Sequence, residues 1–209
     1  MEQSAIDLLR HEAIAPQSLL IDGNEMPSLS GETLNIESPI DGSHLCTVQE
    51  AATADVDLAV AAARRSFENG VWSKQPPAAR KKILRKWADL IEANALELAV
   101  LGVRDNGTEI SMAYKAEPMS AASTLRYYGE ALDKVYGDIA NTPSDVLGLI
   151  HTEPVGVVGA IIPWNFPMMI GAWKMGPALA AGCSVVVKPP ETASLTLVRM
   201  VELAQEAGL

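Results

Sequence analysis

The sequence predicts an α/β fold: a helical N-terminal region followed by the first β-α-β-α of a doubly wound parallel sheet. Three observations carry this. Apolar residues recur at helical spacing between residues 55 and 136. From Val155 to Ile162 an unbroken apolar run, β-branched at Val155, Val157, Val158, Ile161 and Ile162, replaces that spacing, as in a buried parallel strand. Beyond it the elements alternate strand, helix, strand, helix, the order that winds a parallel sheet.

The elements follow in chain order. Residues 1–17 read as a short helix or a loose arm. Residues 18–48 read as strands and turns forming a small antiparallel sheet, with Asp22-Gly23 and Asp41-Gly42 as turn signals. Val56, Val60, Ala63 and Phe67 line one face of a helix over Asp55 to Asn69, which Gly70 ends. A second helix opens at Pro77 and buries Ile83, Leu84, Trp87, Leu90 and Ile91. A third spans about Leu96 to Arg104 and stops at Asp105-Asn106-Gly107. A fourth runs from about Glu117 to Tyr136, with Leu125, Tyr128, Leu132 and Val135 inward. Residues 137–154 read as a hairpin without a large apolar face, either an excursion onto another subunit or a plain surface hairpin. After the first parallel strand, a helix from Phe166 to Ala181 ends at Gly182, and Ser184 to Lys188 is a second buried strand. Thr192 or Ser194 is expected to cap a last helix, Leu195 to Ala207. The domain boundaries expected are therefore 1–17, 18–136, 137–154 and 155–209.

Composition narrows the function. The 209 residues are 48% hydrophobic and 20% charged, an ordinary globular balance. A net charge of -10 argues against nucleic acid, whose backbone calls for clustered Lys and Arg. Two cysteines, Cys46 and Cys183, indicate no disulfide framework, so a cytoplasmic setting is expected. No secretory leader is expected from Met1 to Ser4, no apolar stretch is long enough for a bilayer, and no metal site is indicated.

In an open α/β sheet, ligands bind beyond the carboxyl ends of the strands. The first strand ends in Ile161-Ile162-Pro163-Trp164-Asn165-Phe166-Pro167 and the second in Lys188-Pro189-Pro190-Glu191, so both clusters face one crevice. Asn165 supplies an amide donor in a turn bracketed by two prolines, suited to stabilising a developing oxyanion; on the residues alone, capping the following helix comes ahead of that reading. Lys188 and Glu191 lie where this fold contacts an adenosine ribose; equally, they could form a solvated ion pair. No G-x-G-x-x-G follows the first strand, so a glycine phosphate cradle is not expected.

These residues together resemble the aldehyde dehydrogenase family. The resemblance rests on Glu153-Pro154-Val155-Gly156-Val157-Val158, Pro163-Trp164-Asn165-Phe166-Pro167, Trp173-Lys174, Gly176 to Gly182, and Val187-Lys188-Pro189 with Glu191. Trp72-Ser73 and Asp105-Asn106-Gly107 add to it upstream, and it extends from about Leu19 to Leu209. The stretch Leu125 to Asp138 looks most like the branch acting on γ-glutamyl-γ-aminobutyraldehyde and related amino-aldehydes.

What the resemblance implies is a truncated, Rossmann-like aldehyde dehydrogenase fold from which the catalytic domain is absent. In this family a cysteine thiolate attacks the aldehyde, hydride passes to the nicotinamide, and a Glu-activated water hydrolyses the thioester. By that likeness Asn165 is the oxyanion donor and Lys174 supports the site from behind. Ile161, Ile162, Pro163 and Trp164 line the cofactor cleft, Lys188 and Glu191 hold the ribose, and Trp173 and Ile170 line the aldehyde tunnel. Glu191 repels a 2′-phosphate, so NAD is expected over NADP. The nucleophilic Cys, the base Glu and a second cofactor loop are expected beyond Leu209, so the chain alone is expected to be inactive and to need a C-terminal catalytic half. The full enzyme is expected to be a homo-oligomer. The alternatives are a non-catalytic nucleotide-binding or interaction module and, more weakly, a remnant without function.

Overall fold

The computed structural model describes residues 2–209; Met1, the first residue of the expected arm, lies outside the described residues. The arm carries a helix, α1 (Gln3–Arg10), with no buried residue. Two antiparallel hairpins follow: β1 (Leu19–Ile21) with β2 (Asn24–Met26), and β3 (Thr33–Glu37) with β4 (His44–Gln49). Asp22 and Gly23 both take positive φ, 55° and 74°, as a two-residue primed turn requires. The hairpins form two separate ladders rather than the one small sheet expected. The buried Asp55 carboxylate accounts for the separation. It accepts hydrogen bonds from Leu29 N–H at 3.0 Å, the Ser28 hydroxyl at 3.1 Å and Ala52 N–H at 2.8 Å, drawing the linking loop onto the start of α2 (Thr53–Asn69).

That inward carboxylate also decides which way α2 faces. The expected stripe holds only in part: Ala63 and Phe67 are half-buried, but Val56 and Val60 are exposed. The packed side is Asp55, Ala59, Ala62, Ala63 and Phe67, whose small residues let α2 lie against the parallel strands described below.

Helices α3 (Pro77–Ala93), α4 (Ala95–Asn106), α5 (Ile110–Ala116) and α6 (Pro118–Ala131) come next. Leu84, Trp87 and Ile91 of α3 are fully buried, as their spacing predicts. The short α5 was not expected; Glu109 starts it by accepting from the Ser111 and Met112 N–H groups at 3.0 and 3.2 Å. Helix α6 ends five residues earlier than expected, at Ala131, so Val135 has left the helix and is 66% exposed. Strands β5 (Asp138–Ala140) and β6 (Gly148–Ile150) form the expected hairpin. Contrary to expectation it does carry apolar side chains, with Ile139, Leu147, Leu149 and Ile150 all exposed.

The last segment is β7 (Val157–Ile161), α7 (Pro167–Ala181), β8 (Ser184–Lys188) and α8 (Leu195–Ala207). β7 and β8 are parallel, paired from Val157 with Ser184 to Ile161 with Lys188, and extended by Ile162 N–H donating to the Lys188 carbonyl at 3.1 Å. Gly182, at φ 98°, turns the chain out of α7 into β8 without the cost a Cβ would bring there. The strand pair is less buried than the apolar run suggested. Ala160, Ile162, Val185 and Val187 pack on the core, whereas Ile161, on the opposite face, is 80% exposed and Val155 lies outside the ladder. Two strands alone cannot cover both faces of a parallel pair.

The main core lies among α3, α6, α7 and α8 around Trp87, Leu125, Met168, Met200 and Leu203. Trp87 is fully buried and donates its indole N–H to the Met200 carbonyl at 2.8 Å; Trp72 does the same to Leu179 at 2.9 Å. Among the described residues no helix is long and apolar enough to cross a membrane.

Two buried carboxylates complete the helix starts. Neither Ser194 nor Thr192 caps α8; instead Asp105, at the end of α4, accepts Leu195 N–H at 2.8 Å. Glu117, just before α6, accepts Met169 N–H at 2.7 Å in the first turn of α7. Burial pushes both carboxyls up to about 7, against the opposing pull of the helix N–H donors, and the Asp105 charge adds to the rise at Glu117.

Two outcomes follow from these contacts. A carboxyl whose pKa is raised on folding binds protons more tightly in the folded chain, so its contribution is complete below about pH 4 and is lost as pH rises through about 7. The urea midpoint should therefore fall between pH 5 and pH 8, and Asp105→Asn or Glu117→Gln should flatten the fall; a midpoint rising over that range contradicts the assignment. Trp87→Ala should cost roughly 3–5 kcal/mol in chemical denaturation, the usual range for emptying a large buried aromatic site.

Candidate functional site

The parallel register brings the carboxyl ends of β7 and β8 to one edge, and the residues there descend from that fact. After Ile161, the buried Ile162 anchors the chain in the core, and Pro163, Trp164 and Asn165 emerge exposed, Trp164 by 64%. Pro167 then occupies the first turn of α7, where its missing N–H costs nothing. Asn165 does not cap that helix: the cap position is Phe166, without a side-chain bond, and Glu117 serves the first turn instead. The Asn165 amide is thus left exposed at the edge.

The turn is held from outside. Asn106, the last residue of α4, donates its side-chain amide to the Trp164 carbonyl at 3.2 Å and the Asn165 carbonyl at 3.4 Å. Its own carbonyl oxygen accepts the Thr108 N–H at 3.0 Å and the Thr108 hydroxyl.

At the end of β8, Lys188 and Glu191 form the ion pair that their spacing allowed. Hydrogen bonding from the Lys188 ammonium, aided by backbone N–H, holds the Glu191 carboxyl below its ordinary value. Both side chains are more than half exposed, so the pair contributes little stability and either group can exchange it for a ligand hydroxyl.

A groove of about 520 Å³ opens between β7 and α7, lined by Val158, Gly159, Ala160, Ile161, Trp173, Lys174, Pro177 and Ala178. Trp173 is half exposed within it. A Cβ added at Gly159 would meet nothing within 4 Å, so that strand position is open. Ile170 lies differently: it is partly buried against the main core.

Sequence reasoning therefore anticipated Asn165, Lys188 and Glu191 at one edge; it assigned Ile161 to the cofactor cleft, Trp173 to the aldehyde tunnel and Lys174 to a supporting place behind the site, whereas all three line one groove. It missed Asn106, which holds the turn after β7, and Asp105 and Glu117, which hold the first turns of α8 and α7. Asp105-Asn106-Gly107 was visible as a family-like string; Glu117 had no local signal.

Neither cysteine borders the crevice. Cys46 lies in β4 against Ile36 and Leu195, and burial, with the nearby Asp105 charge, pushes its thiol up to about 11. Cys183 is buried just before β8 begins, at the opposite edge of the sheet from Asn165. Among the described residues no group of His, Cys, Asp and Glu is arranged to hold a metal ion.

Comparison with known proteins identifies the family. Residues 26–209 match the aldehyde dehydrogenase family. The chain is 46% identical over 191 residues to the NADP/NAD-dependent aldehyde dehydrogenase PuuC of Escherichia coli (strain K12), covering 91% of this chain and 39% of that protein. It is 44% identical over 194 residues to the aminoacetaldehyde dehydrogenase of Pseudomonas aeruginosa, covering 93% of this chain and 39% of the relative. The solved γ-glutamyl-γ-aminobutyraldehyde dehydrogenase of Burkholderia cenocepacia J2315 superposes with a TM-score of 0.96 at 42% identity, over 100% of this chain and 42% of that one. An indole-3-acetaldehyde dehydrogenase in complex with NAD+ gives the same TM-score, 0.96, at 43% identity and the same coverage. The chain thus spans about two fifths of the length of the relatives it matches. With the match running through both strand ends and the helices between them, the chain belongs to the aldehyde dehydrogenase family.

Proposed function

We propose that this chain forms the cofactor side of an NAD-dependent aldehyde dehydrogenase that oxidises an amino-aldehyde to the carboxylic acid. The observation that carries the reading is the in-register parallel pairing of β7 and β8, which sets Asn165 and the Lys188–Glu191 pair at the same edge. In this reading the Asn165 amide donates to the oxyanion that forms when the aldehyde carbonyl is attacked. Ile161, Pro163 and Trp164 wall the cofactor cleft with Ile162 buried behind them, Trp173 bounds the aldehyde path with Ile170 packed behind it on the core, and Lys174 steadies the groove between them. The amino-aldehyde assignment draws on the relatives named for aminoacetaldehyde and γ-glutamyl-γ-aminobutyraldehyde. The exposed apolar residues of the β5–β6 hairpin support a homo-oligomeric full-length enzyme, and the two unpaired cysteines support a cytoplasmic setting.

The residues at the edge fit a dinucleotide in one respect and depart from a common pattern in another. A carboxylate and an ammonium, both reachable from water, suit the hydroxyls of a ribose. The turn after β7 has prolines where a phosphate cradle would carry glycines, so hydroxyl contacts, not a glycine loop, are the recognition this chain offers. NAD, when bound, accepts the hydride. The Glu191 carboxylate, kept ionised by Lys188, opposes a 2′-phosphate and so favours NAD over NADP.

In this reading the 209 residues do not turn over by themselves, because neither buried cysteine reaches the crevice to supply a thiolate. A C-terminal catalytic half is the partner required.

Titration with NAD, followed by tryptophan fluorescence, should be saturable for the 209-residue chain. Glu191→Ala should weaken it roughly tenfold, the scale of one charge-assisted hydrogen bond, and should narrow the preference over NADP. Asn165→Ala should leave the titration within about twofold, since it removes no ribose contact. Equal titration of the Glu191 variant removes the ribose assignment. Incubation with NAD and an amino-aldehyde should yield no NADH; steady NADH formation by this chain alone refutes the claim that it needs another half.

A further inference from the structure

The turn from Pro163 to Pro167 has few internal means of keeping its shape. The last rung of the parallel ladder is Ile162 N–H to Lys188, two residues before Trp164. Both bracketing prolines lack an N–H. The Trp164 and Asn165 carbonyls thus lie between the end of a strand and the start of a helix, and Asn106 Nδ2 is the donor that meets both. The orientation of that amide follows from chemistry. Thr108 N–H can only donate, so the Asn106 atom it meets at 3.0 Å is the oxygen, and the NH2 group faces the two carbonyls. The residue before it, Asp105, holds the first turn of α8, and Gly107, at φ 76°, ends α4 between them and the Thr108 anchor. One helix tip therefore touches the turn before α7 and the first turn of α8.

We propose that Asn106 is a positioning residue: its amide fixes the Trp164–Asn165 segment, and with it the direction in which the Asn165 side chain enters the crevice. The proposal rests on the reading of Asn165 as the oxyanion donor for its functional consequence, but not for its mechanical content. Donation, not bulk, is the essential property. An aspartate at 106 has the same shape and keeps the acceptor for Thr108, but it turns an anion toward two carbonyl oxygens. A glutamine is one methylene longer but keeps both donor and acceptor.

The test is backbone ¹⁵N relaxation of the 209-residue chain, comparing the parent with Asn106→Asp, Asn106→Gln and Asn106→Ala. The Trp164, Asn165 and Phe166 N–H order parameters should be near the rigid value of about 0.85 in the parent. They should drop below about 0.6 in Asn106→Asp and Asn106→Ala, while β8 and α8 keep parent values and Asn106→Gln retains most of the order. Unchanged order in Asn106→Asp overturns the proposal. So does equal loss in the Asp and Gln variants, which points to shape, and so does loss spread across α4, β8 and α8, which points to general loosening. Should Asn106→Asp not fold, the alanine and glutamine variants decide by the same comparison. The NAD titration is read separately: failure of the parent to bind NAD counts against the cofactor reading, whereas the relaxation comparison alone decides the role of Asn106.

Discussion

The parallel pairing of β7 with β8 is the constraint from which the rest of the molecule follows. Parallel strands need a crossover, and α7 is that crossover, so its start must lie at one edge of the sheet and its end at the other. The same geometry makes the chain leave β7 and β8 on one side, each time into a short proline-containing loop. Those two loops carry Asn165 and Glu191. No side-chain contact between the loops is needed to bring them to one edge; the direction of the strands suffices.

Two strands cannot shelter themselves, and the architecture answers with helices that come earlier in the chain. Helix α2 lies against the pair, and α3 and α6 build the core against α7 and α8. The interlocking extends to polar atoms. The first turns of α7 and α8 present N–H groups that lack helical partners. Glu117 and Asp105, both buried and both from the helical region, accept from them. Burial makes these carboxyls reluctant to ionise, so the crevice helices are tied to groups whose charge depends on pH near neutrality. The tip of α4 thereby holds the first turn of α8 through Asp105 and the turn before α7 through Asn106.

Much of this was legible in the chain itself, for reasons that differ by element. The boundaries of α8 and β8 are set by local chemistry: Gly182 and Gly208 at positive φ, the Pro189-Pro190 block, and an unbroken β-branched run. The face of α2 was not legible, because Val56 and Val60 obey helical spacing yet yield to Asp55, whose partners Ser28 and Leu29 lie more than twenty residues away. Helix α6 appeared longer than it is, since Val135 continues an apolar stripe that the chain abandons at Ala131. The β7 run looked fully buried, as a parallel strand usually is, but an 80%-exposed Ile161 shows that burial depends on neighbours the strand pair lacks. Among the site residues, Asn165, Lys188 and Glu191 were recognisable because they lie at or within a few residues of the strand ends. Asn106 and Glu117 reach their targets across about fifty residues of chain, where no periodicity reports a contact.

The sequence by itself determined the alternation of strand and helix after Val155, the end of the sheet at which polar groups gather, and the likeness to aldehyde dehydrogenases. These are properties of short stretches, written in side-chain period, turn residues and contiguous motifs. Only the tertiary structure decided which carboxylates cap the crevice helices, which amide holds the Asn165 turn, and which faces of α2 and β7 are left to water. Those outcomes depend on unpaired N–H and C=O groups finding partners across the fold, and a chain read in order does not reveal which distant group arrives.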